Sequence, residues 1–573
     1  MTGNSHTQDN GGGQAIGRNK METLLTDMTC ALPRQAWVAD CAFGDVPAQP
    51  AGGWRILDYT CKEYSGRMLT SCQPDAAALT ILLGLEGWHA VSIGIGCFWG
   101  AGALDVRLSG DADWQCLRVN APGEEPWVMA DLTGRDLEIR PTQDPASRRS
   151  RGKSLVASLL SVRATPMPKE HVDRIQADTS RKLIYINDGH GIFWADPNPG
   201  SQTVRQALEP FADSDWRVCC FGVGGADLVN YPSQVGTMLG HGWDFPREGD
   251  SIEARMQEPL RLGWDPLRQV VELAHAQKQE CWVYLRPQAW MGNWPFDHAF
   301  RSRFYGQHQH CRCVEADGLP LAQLSFAYEE VRSQLNAIAA EALERGADGI
   351  CLVLVRGYPL VRYEEPVCHR YRELYGGDAR QCPDTDPELR LVWREFVEMW
   401  LRELRALMDA AGPASQGGHR RKLTIISGAN LEWNQRFGVD IAYFARKGLL
   451  GAVLPYPYGL EHYSGAATYQ TIDVAEYARA LAGTGVPVYP SLGYHGDHQI
   501  GLGEYFRRAN NYYRQGADGL SRWDTHPNLA RIRLNSPARV ALWSEVYRPQ
   551  DRSLTFVDLG GIPQGPFSPT VGL

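Results

Sequence analysis

Two stretches of nine residues, "ERGADGICL" (344–352) and "RQGADGLSR" (514–522), show the same order of local signals. Each reads as a helix end, a glycine, the tripeptide Ala-Asp-Gly and then an apolar run. Glycine after the last helical residue favours the left-handed conformation that ends a helix, and a short apolar run is typical of a buried strand. A looser third copy is "RKGLLGAVL" (446–454). The three stretches predict repeated helix-to-strand loops in an α/β fold.

The region around these stretches alternates between apolar runs and helical patterns. The helices carry start signals, such as Asp265 as N-cap followed by Pro266 at the first helical position. Short return loops imply parallel strands joined by right-handed crossovers. We therefore predict a (β/α)8 TIM barrel over residues 182–545. Its eight predicted strands are 183–187, 216–223, 281–286, 350–356, 422–427, 449–454, 486–491 and 518–523.

An open doubly wound sheet is the alternative for such a pattern. The stretch "GVGGAD" (222–227) follows a predicted strand, but Asp227 stands where a dinucleotide-binding loop has its third glycine. No helical pattern begins directly after it. The incomplete fingerprint favours the barrel over a Rossmann fold.

Residues 29–165 show a different pattern of predicted elements. Short strand-like runs such as "HAVSIGIG" (89–96) are separated by Gly, Pro and Asp turns. This spacing predicts an all-β, jelly-roll-like sandwich as an N-terminal accessory domain. Residues 1–28 are predicted to form a disordered tail, because their first twenty residues are polar and glycine-rich. Residues 546–573 are predicted to form a C-terminal extension.

The composition excludes several classes of partner. A formal net charge of -9 gives no basic surface for nucleic acid. No stretch reaches the about 18 consecutive apolar residues of a membrane span, and the N-terminus lacks the apolar core of a signal peptide. The 14 cysteines are scattered, which indicates reduced thiols in the cytoplasm. Export remains the alternative if the start is misassigned, and the chain could form a homo-oligomer.

Active sites of such barrels lie at the carboxyl ends of the strands and in the loops that follow. Polar residues after the second strand include Asp227 and Asn230. Cleaving a glycosidic bond takes two carboxyl groups, and sugar rings pack on aromatic side chains while their hydroxyls form hydrogen bonds. The candidate carboxylates are Asp188, Glu364, Glu432 and Asp524. The other candidate substrate contacts are His190, Arg286, Arg356, Tyr363, Trp433, Asn434, Tyr456, His495 and Trp523. Each carboxylate taken alone is also consistent with a loop cap.

Two histidine-rich stretches raise the possibility of a metal. "YHGDHQ" (494–499) places His495, Asp497 and His498 together, and "QHQHCRC" (307–313) is dense in ligand types. The tight spacing of the second stretch fits neither a zinc ribbon nor a zinc finger and indicates a polar loop. We predict no metal and no cofactor, and keep a metal-dependent hydrolase as an alternative.

Four segments resemble the family 10-like glycosyl hydrolases, which are (β/α)8 proteins. They are "LSFAYEEVRSQLNAIAAEALERGADGICLVLVRGYP" (324–359), "VRYEEPV" (361–367), "NQRFGVDIAYFARKGLLGAVLPYP" (434–457) and "YRQGADGLSRWD" (513–524). The resemblance implies a carbohydrate substrate and acid/base carboxylates, and by motif position it points to Arg356, Tyr363, Glu364 and Asn434. Relatives commonly carry an acidic residue inside the fourth strand, where this chain has Val353.

The sequence therefore predicts a glycoside hydrolase with carbohydrate as its partner. Glu364 is the expected general acid, Asp188 the base or nucleophile, and Glu432 the substitute for either. The polar residues expected to hold sugar hydroxyls or a substrate carboxylate are His190, Arg286, Arg356 and His495. The aromatic residues expected to stack on the sugar are Trp433, Tyr456 and Trp523. A catalytically silent carbohydrate-binding barrel is the alternative that Val353 favours.

Overall fold

The computed structural model separates the chain into two compact units. One contains Met1–Arg174 together with Val546–Leu573, and the other contains Ile175–Glu545. The structure describes residues 22–39, 52–61, 63–96, 102–119, 123–143, 149–150, 153–154, 156–194, 196, 198–212, 214–242, 252–290, 301–355, 358–460, 467–469, 471–493, 502–523, 530, 532–546, 554–558 and 562–567.

The second unit is built on a sheet of parallel strands. In chain order they are β1 (Lys182–Asn187), β2 (Trp216–Gly222), β3 (Glu280–Leu285), β4 (Gly349–Val353), β5 (Lys422–Ser427), β6 (Ala452–Pro455), the bridging segment β7 (487–492) and β8 (Gly519–Trp523). Seven of them pair in the order β6-β5-β4-β3-β2-β1-β8. Sequence neighbours are thus neighbours in the sheet, as the predicted α/β alternation requires.

Segment β7 joins the two edges of this sheet. The Tyr489 N–H donates to the Val453 carbonyl of β6 at 2.9 Å, and the Leu492 N–H donates to the Ser521 carbonyl of β8 at 2.9 Å. Isolated parallel bridges at Val488 and Ser491 accompany these bonds. The predicted parallel barrel is confirmed in seven strands, and the remaining one is reduced to this bridging segment.

Helices lie between the strands, and Asp265 caps one of them as predicted, since its carboxylate accepts from the Arg268 N–H at 3.0 Å. In the described part of the chain the α-helices are α1 (Lys169–Ala177), α2 (Gly191–Trp194), α3 (Ser201–Leu208), α4 (Ile252–Arg261), α5 (Pro266–Ala276), α6 (Arg303–Gln307), α7 (Glu329–Glu344), α8 (Glu365–Tyr375), α9 (Pro387–Ala410), α10 (Leu431–Gln435), α11 (Ile441–Arg446), α12 (Val474–Leu481), α13 (Leu502–Arg514) and α14 (Pro537–Val546).

The two aspartates of the Ala-Asp-Gly stretches make equivalent hydrogen bonds at the amino ends of β4 and β8. Asp348 Oδ2 accepts from the Cys281 N–H of β3 at 2.8 Å. Asp518 Oδ2 accepts from the Val488 N–H of β7 at 2.9 Å. Each aspartate therefore ties its own strand to the preceding one, and His275 also contacts Asp348 at 2.8 Å.

The glycines of the same stretches tie each strand to the one that follows. Gly349 pairs with Lys422 of β5, and Gly519 pairs with Lys182 of β1. A Cβ added at Gly349 would lie 2.6 Å from the Lys422 carbonyl oxygen, and one at Gly519 would lie 2.0 Å from the Lys182 carbonyl oxygen. Only glycine permits this approach of the two backbones.

The barrel is filled by inward side chains, which form one apolar cluster. Its members are Ile184, Ile186, Val218, Cys220, Trp282, Tyr284, Cys351, Val353, Val355, Ile426, Ala452, Leu454, Tyr456, Tyr489 and Trp523. At the amino ends of the strands, Lys182 forms an ion pair with Glu280 at 2.5 Å. Burial acts to raise the pKa of Glu280, but Lys182 and the Trp282 N–H outweigh it, so that pKa is lowered.

The first unit contains two mainly antiparallel sheets that share one apolar core, with Val91 and Leu159 from one and Leu104 and Ile139 from the other. The larger sheet has the order Ile562–Phe567, Leu554–Asp558, Trp54–Cys61, Ser65–Ser71, Ala157–Pro166, Trp88–Ile95 and Gly123–Asp131, with Thr23–Leu25 beside Ala157–Pro166 and Trp37–Ala39 beside Trp54–Cys61. The smaller has the order Leu79–Ile81, Leu137–Arg140, Gly102–Leu108 and Gln115–Val119.

The boundaries of this unit differ from the predicted ones. The segment predicted as a C-terminal extension supplies two strands, one of which pairs with Trp54–Cys61. Thr23–Leu25 is a strand although it lies within the predicted tail, whose residues 1–21 are outside the described residues. Both pairings join segments far apart in sequence, which local patterns do not reveal.

Within the described residues, no helix has both the length and the apolar character needed to cross a bilayer.

We expect Gly519→Ala and Gly349→Ala each to lower the free energy of unfolding by about 1–3 kcal/mol, because the new methyl group overlaps a backbone carbonyl of the next strand. Gly306→Ala in α6 is the matched control, since a Cβ there meets its nearest atom at 3.6 Å. Denaturant unfolding of the full chain measures the change. Equal stability of the three variants would contradict the close-approach argument.

Candidate functional site

The turn after β1 holds a carboxylate in a fixed orientation. Asp188 Oδ1 accepts from the N–H groups of His190 at 2.8 Å and Gly191 at 2.7 Å. Asp188 therefore caps the short helix α2. Among the described residues its second oxygen has no hydrogen-bond partner, and the side chain is half-buried. The capping bonds leave one oxygen of a positioned carboxylate at the carboxyl end of β1.

The ends of β1 and β2 touch through Gly189 and Asn230. The Asn230 amide donates to the carbonyl of Gly189 at 2.6 Å and to that of Gly222 at 3.1 Å. Gly189 has φ +69°, and a Cβ on it would lie 1.7 Å from the Gly222 carbonyl oxygen. Glycine is therefore required in the Asp-Gly-His turn, and Asn230 locks the two strand ends together.

Aromatic rings from three strands meet at this end of the barrel. The ring centre of Trp523 lies 5.4 Å from that of Tyr284 and 5.4 Å from that of Tyr456. The Arg286 guanidinium lies 5.5 Å from the Trp523 ring centre and donates to the Tyr284 hydroxyl at 3.2 Å. A Cβ on Gly222 would lie 2.5 Å from that hydroxyl, so the rings adjoin the β1–β2 contact.

Among the described residues, the buried polar atoms of this region without a hydrogen-bond partner include Trp523 Nε1, a donor, and Asn230 Oδ1, an acceptor. Trp523 belongs to β8 and Asn230 follows β2, and both strands pair with β1. Most buried polar groups in proteins have a partner, and an exception needs an explanation such as a bound ligand or water. A small molecule with adjacent hydroxyl groups satisfies one donor and one acceptor of this kind.

Tyr284 and Asn230 were not among the predicted substrate contacts. Tyr284 lies inside an apolar strand, where only the alternation of inward and outward residues would have singled it out. Asn230 follows β2 but reaches Gly189 through a contact 41 positions away in sequence. Tyr284 has no local sequence signal for this position, whereas the sequence placed Asn230 after the second strand but gave it no partner.

Glu364, the predicted general acid, is buried, and backbone N–H groups bind both of its carboxyl oxygens. One carboxyl oxygen accepts from the Val314 N–H at 3.0 Å, and the other from the Arg362 N–H at 2.9 Å. The residue is 1% exposed. Burial raises the pKa of Glu364, and these backbone hydrogen bonds offset only part of the rise. Its carboxyl group joins two loops and is covered from solvent.

Asn434 and Tyr363 are also occupied within the protein. Asn434 accepts from the Gly428 N–H at 2.9 Å and donates to the Tyr477 hydroxyl at 2.9 Å. The Tyr363 hydroxyl donates to the Cys382 carbonyl at 3.1 Å. Both side chains are buried. These hydrogen bonds hold both side chains within the protein, and the substrate-binding roles of Asn434 and Tyr363 stay predictions.

Glu432 and Trp433 lie on α10, where Asn430 caps the helix through a hydrogen bond from the Trp433 N–H at 2.9 Å. Glu432 is exposed, and half-buried Trp433 packs edge-on against Tyr358 with ring centres 4.8 Å apart. Glu432 is therefore accessible from solvent.

The predicted contacts His190 and Arg286 are half-buried. Three predicted site residues, Arg356, His495 and Asp524, are outside the described residues, as is the histidine-rich stretch 494–499.

Strand β4 presents methyl groups where an acid was expected. Val353 and Val355 both belong to the apolar cluster inside the barrel and are buried. The position of Val353 is thus inward, as the resemblance implies for an acidic residue. The described part of β4 therefore supplies no inward carboxylate at this position.

Asp227 is a buried acid for which the sequence predicted no role. It is 1% exposed, and neither carboxyl oxygen has a hydrogen-bond partner. Burial raises its pKa to about 6, although Ser302, Gln334 and Arg303 are near enough to lower it in part. Its carbonyl accepts from the Thr237 N–H at 2.8 Å within a small sheet made of Gly224–Gly225, Leu228–Val229 and Thr237–Met238.

No family model matches the chain, and no curated protein matches it. Its resemblance to family 10-like glycosyl hydrolases therefore stays a prediction. Solved structures that are similar to the chain include the PgaB (BpsB) glycoside hydrolase domain from Bordetella bronchiseptica, at 12% identity over 65% of this chain and 100% of that chain, with a TM-score of 0.41.

Two longer similarities extend over more of the chain. The Thermus thermophilus α-galactosidase TtGalA, in complex with p-nitrophenyl α-D-galactopyranoside, is 11% identical over 89% of this chain and 98% of that chain, with a TM-score of 0.34. The Podospora anserina GH26-CBM35 β-(1,4)-mannanase is 11% identical over 89% of this chain and 94% of that chain, with a TM-score of 0.25. The barrel assignment rests on the strand order and not on these similarities.

We expect Asp227→Asn to stabilise the protein at pH 8 and to leave its stability unchanged near pH 4. The pKa of Asp227 is about 6 in the folded protein against an ordinary value of 3.8, so the folded state binds more protons between these values and stability falls as pH rises through them. Two pKa units correspond to about 3 kcal/mol. Denaturant unfolding at both pH values measures the difference.

The control for this experiment is Asp317→Asn, which removes the same charge from an exposed loop. It is expected to give no gain at either pH. A stabilisation by Asp227→Asn that is as large at pH 4 as at pH 8 would show that ionisation of Asp227 is not its cause.

Proposed function

We propose that this protein is a glycoside hydrolase that binds a carbohydrate at the carboxyl ends of its barrel strands. The observation that carries the proposal is the buried, partnerless pair of Trp523 Nε1 and Asn230 Oδ1 beside the rings of Tyr284 and Tyr456. A sugar offers an apolar C–H face for an aromatic ring and hydroxyl groups for a donor and an acceptor. Few other ligands combine both needs.

The chemistry in this proposal comes from Asp188. Its two N–H hydrogen bonds fix the carboxylate and leave one oxygen to act as base or nucleophile. The second carboxyl group must lie about 5–5.5 Å from it for retention or about 6.5–9.5 Å for inversion. Glu432 and Asp524 are the proposed sources. Glu364 is not carried into this role, because its oxygens bond to Val314 and Arg362.

The other predicted substrate contacts are included in the proposal because of where they lie in the barrel. Tyr456 and Trp523 form the aromatic wall, and half-buried Arg286 lies over that wall. His190 belongs to the turn that carries Asp188, and Arg356, His495 and Trp433 remain proposed contacts. The first unit is proposed to be a jelly-roll-like accessory module, and the protein is proposed to act in the cytoplasm without a cofactor.

A second function is favoured by one observation. Val353 and Val355 fill the fourth strand's inward positions with methyl groups, so the acid that relatives are expected to carry there is absent. A barrel that binds a carbohydrate without cleaving it would retain the aromatic wall and the partnerless polar atoms. Both functions predict a carbohydrate ligand, but the hydrolase cleaves it and the binding barrel does not.

We expect Asp188→Asn to lower the turnover of p-nitrophenyl glycosides by at least about 100-fold, because it removes the base or nucleophile. Asparagine is as good an N-cap as aspartate, so α2 and the thermal unfolding temperature should be retained. The assay uses a panel of p-nitrophenyl α- and β-glycosides. Wild-type turnover by the variant would contradict the role of Asp188.

Asp473→Asn is the matched control, since Asp473 caps α12 through the Glu476 N–H at 2.8 Å. It removes the same charge from a cap outside the proposed site and is expected to leave turnover unchanged. If wild-type protein binds glycans by calorimetry but cleaves no member of the panel, the silent binding barrel is the correct function.

We expect Trp523→Phe to weaken binding of a recognised glycan by about threefold to tenfold, the effect of losing one hydrogen bond of about 0.5–1.5 kcal/mol. An aromatic ring is retained, so part of the stacking surface is preserved. Trp282→Phe is the control within the same barrel, because its N–H donates to Glu280 at 2.9 Å and not to the proposed ligand. Calorimetric affinities measure both, and an unchanged affinity in Trp523→Phe would contradict the contact.

A further inference from the structure

A cluster of three metal-ligating side chains lies outside the proposed site. His310, Cys311 and Glu330 each offer one ligand atom, and these atoms all lie within 4.8 Å of one another. His310 and Cys311 belong to the 3-10 turn Gln309–Cys311, and Glu330 to the first turn of α7. The sequence indicated a polar loop at "QHQHCRC" because its tight spacing fits neither a zinc ribbon nor a zinc finger, and Glu330 lies outside that stretch.

Backbone hydrogen bonds hold the two halves of this cluster together. The Ser325 N–H donates to the Cys311 carbonyl at 2.7 Å, and the Tyr328 N–H donates to the Ser325 carbonyl at 3.2 Å. Tyr328 directly precedes α7. The 3-10 turn and the start of α7 are therefore connected through two short backbone links, and the positions of Cys311 and Glu330 are coupled.

The burial of the three side chains suits a site at the protein surface. Cys311 is buried, whereas His310 and Glu330 are exposed. The neighbouring cation Arg312 is held away by the Tyr305 ring, with its guanidinium 5.6 Å from the ring centre. Burial and the negative charge of Glu330 raise the pKa of the Cys311 thiol to about 11. A bound divalent cation reverses this effect, since it favours the thiolate.

We propose that His310, Cys311 and Glu330 form a zinc-binding site that clamps the loop after β3 to the start of α7. One thiolate, one imidazole and one carboxylate are a ligand set for Zn²⁺, whereas Mg²⁺ and Ca²⁺ require oxygen ligands. Metal–ligand bonds of about 2.0–2.3 Å in a tetrahedron place ligand atoms roughly 3.3–3.8 Å apart. The exposed side chains of His310 and Glu330 can move by the remaining distance of about 1 Å.

His308 is the proposed fourth ligand. The His308 ring centre lies 5.8 Å from that of His310. His308 Nδ1 lies 2.9 Å from the Phe304 carbonyl, an arrangement that leaves Nε2 as the metal-binding atom. The site is independent of the proposed glycoside hydrolase function, since it uses none of the residues assigned to that function.

The test measures binding of Zn²⁺ and Co²⁺ to the purified full chain after its metal has been removed with a chelator. Cys311→Ser and Glu330→Gln remove one ligand each. Cys313→Ser and Glu329→Gln are the matched controls, because Cys313 is buried in the same loop and Glu329 is the exposed neighbour of Glu330. Thermal unfolding of the metal-free variants checks that they fold, and Glu330→Gln changes only an exposed side chain.

The expected result is one equivalent of Zn²⁺ per chain and a thiolate-to-cobalt charge-transfer band in the wild type and both controls. Each ligand variant should bind at least about tenfold more weakly, and Cys311→Ser should lose the cobalt band. Absence of stoichiometric binding by the wild type overturns the proposal. So does an affinity in Cys311→Ser and Glu330→Gln that equals that of the controls.

Discussion

The barrel depends on one short-range constraint that occurs twice, at the amino ends of β4 and β8. The aspartate of each Ala-Asp-Gly stretch accepts an N–H of the preceding strand, and the following glycine allows the next strand's lysine carbonyl to approach. Each tripeptide thus sets the spacing of three consecutive strands, β3-β4-β5 and β7-β8-β1. The aromatic residues Trp282 and Tyr489 contact the two glycines from the preceding strands in the same way.

The parallel strands have their carboxyl ends together, away from these two aspartates. Asp348 and Asp518 at the amino ends, and Asn434 after β5, have their partners within the protein. Among the described residues, Trp523 Nε1 and Asn230 Oδ1 have none, although both are buried near the ends of the two strands that pair with β1. Leaving a buried polar group without a partner costs about 1–3 kcal/mol. Under the proposed function, a carbohydrate that completes these two bonds accounts for this cost.

The sequence predicted the strands well where local signals are strong. Apolar runs with a glycine before them were found in their places, and Asp265 caps its helix as its position before Pro266 indicates. The limits of the first unit were not predictable in this way. Leu554–Asp558 pairs with Trp54–Cys61 across almost the whole chain, and no local pattern records such a pairing. Tyr284 was missed for the same reason, and Asn230 was named only as a polar residue after the second strand, without a role.

What the sequence determined by itself is therefore the alternation of strands and helices, the glycine turns and the capping aspartates, because these depend on contacts within a few residues. The tertiary structure decided which polar residues are covered and which are accessible. Asp188 and Glu364 both lie in polar turns after barrel strands, yet Asp188 is half-buried with one free oxygen, while Glu364 is covered and bonded to Val314. Burial of a carboxylate depends on segments distant in sequence, and only the folded chain brings these segments together.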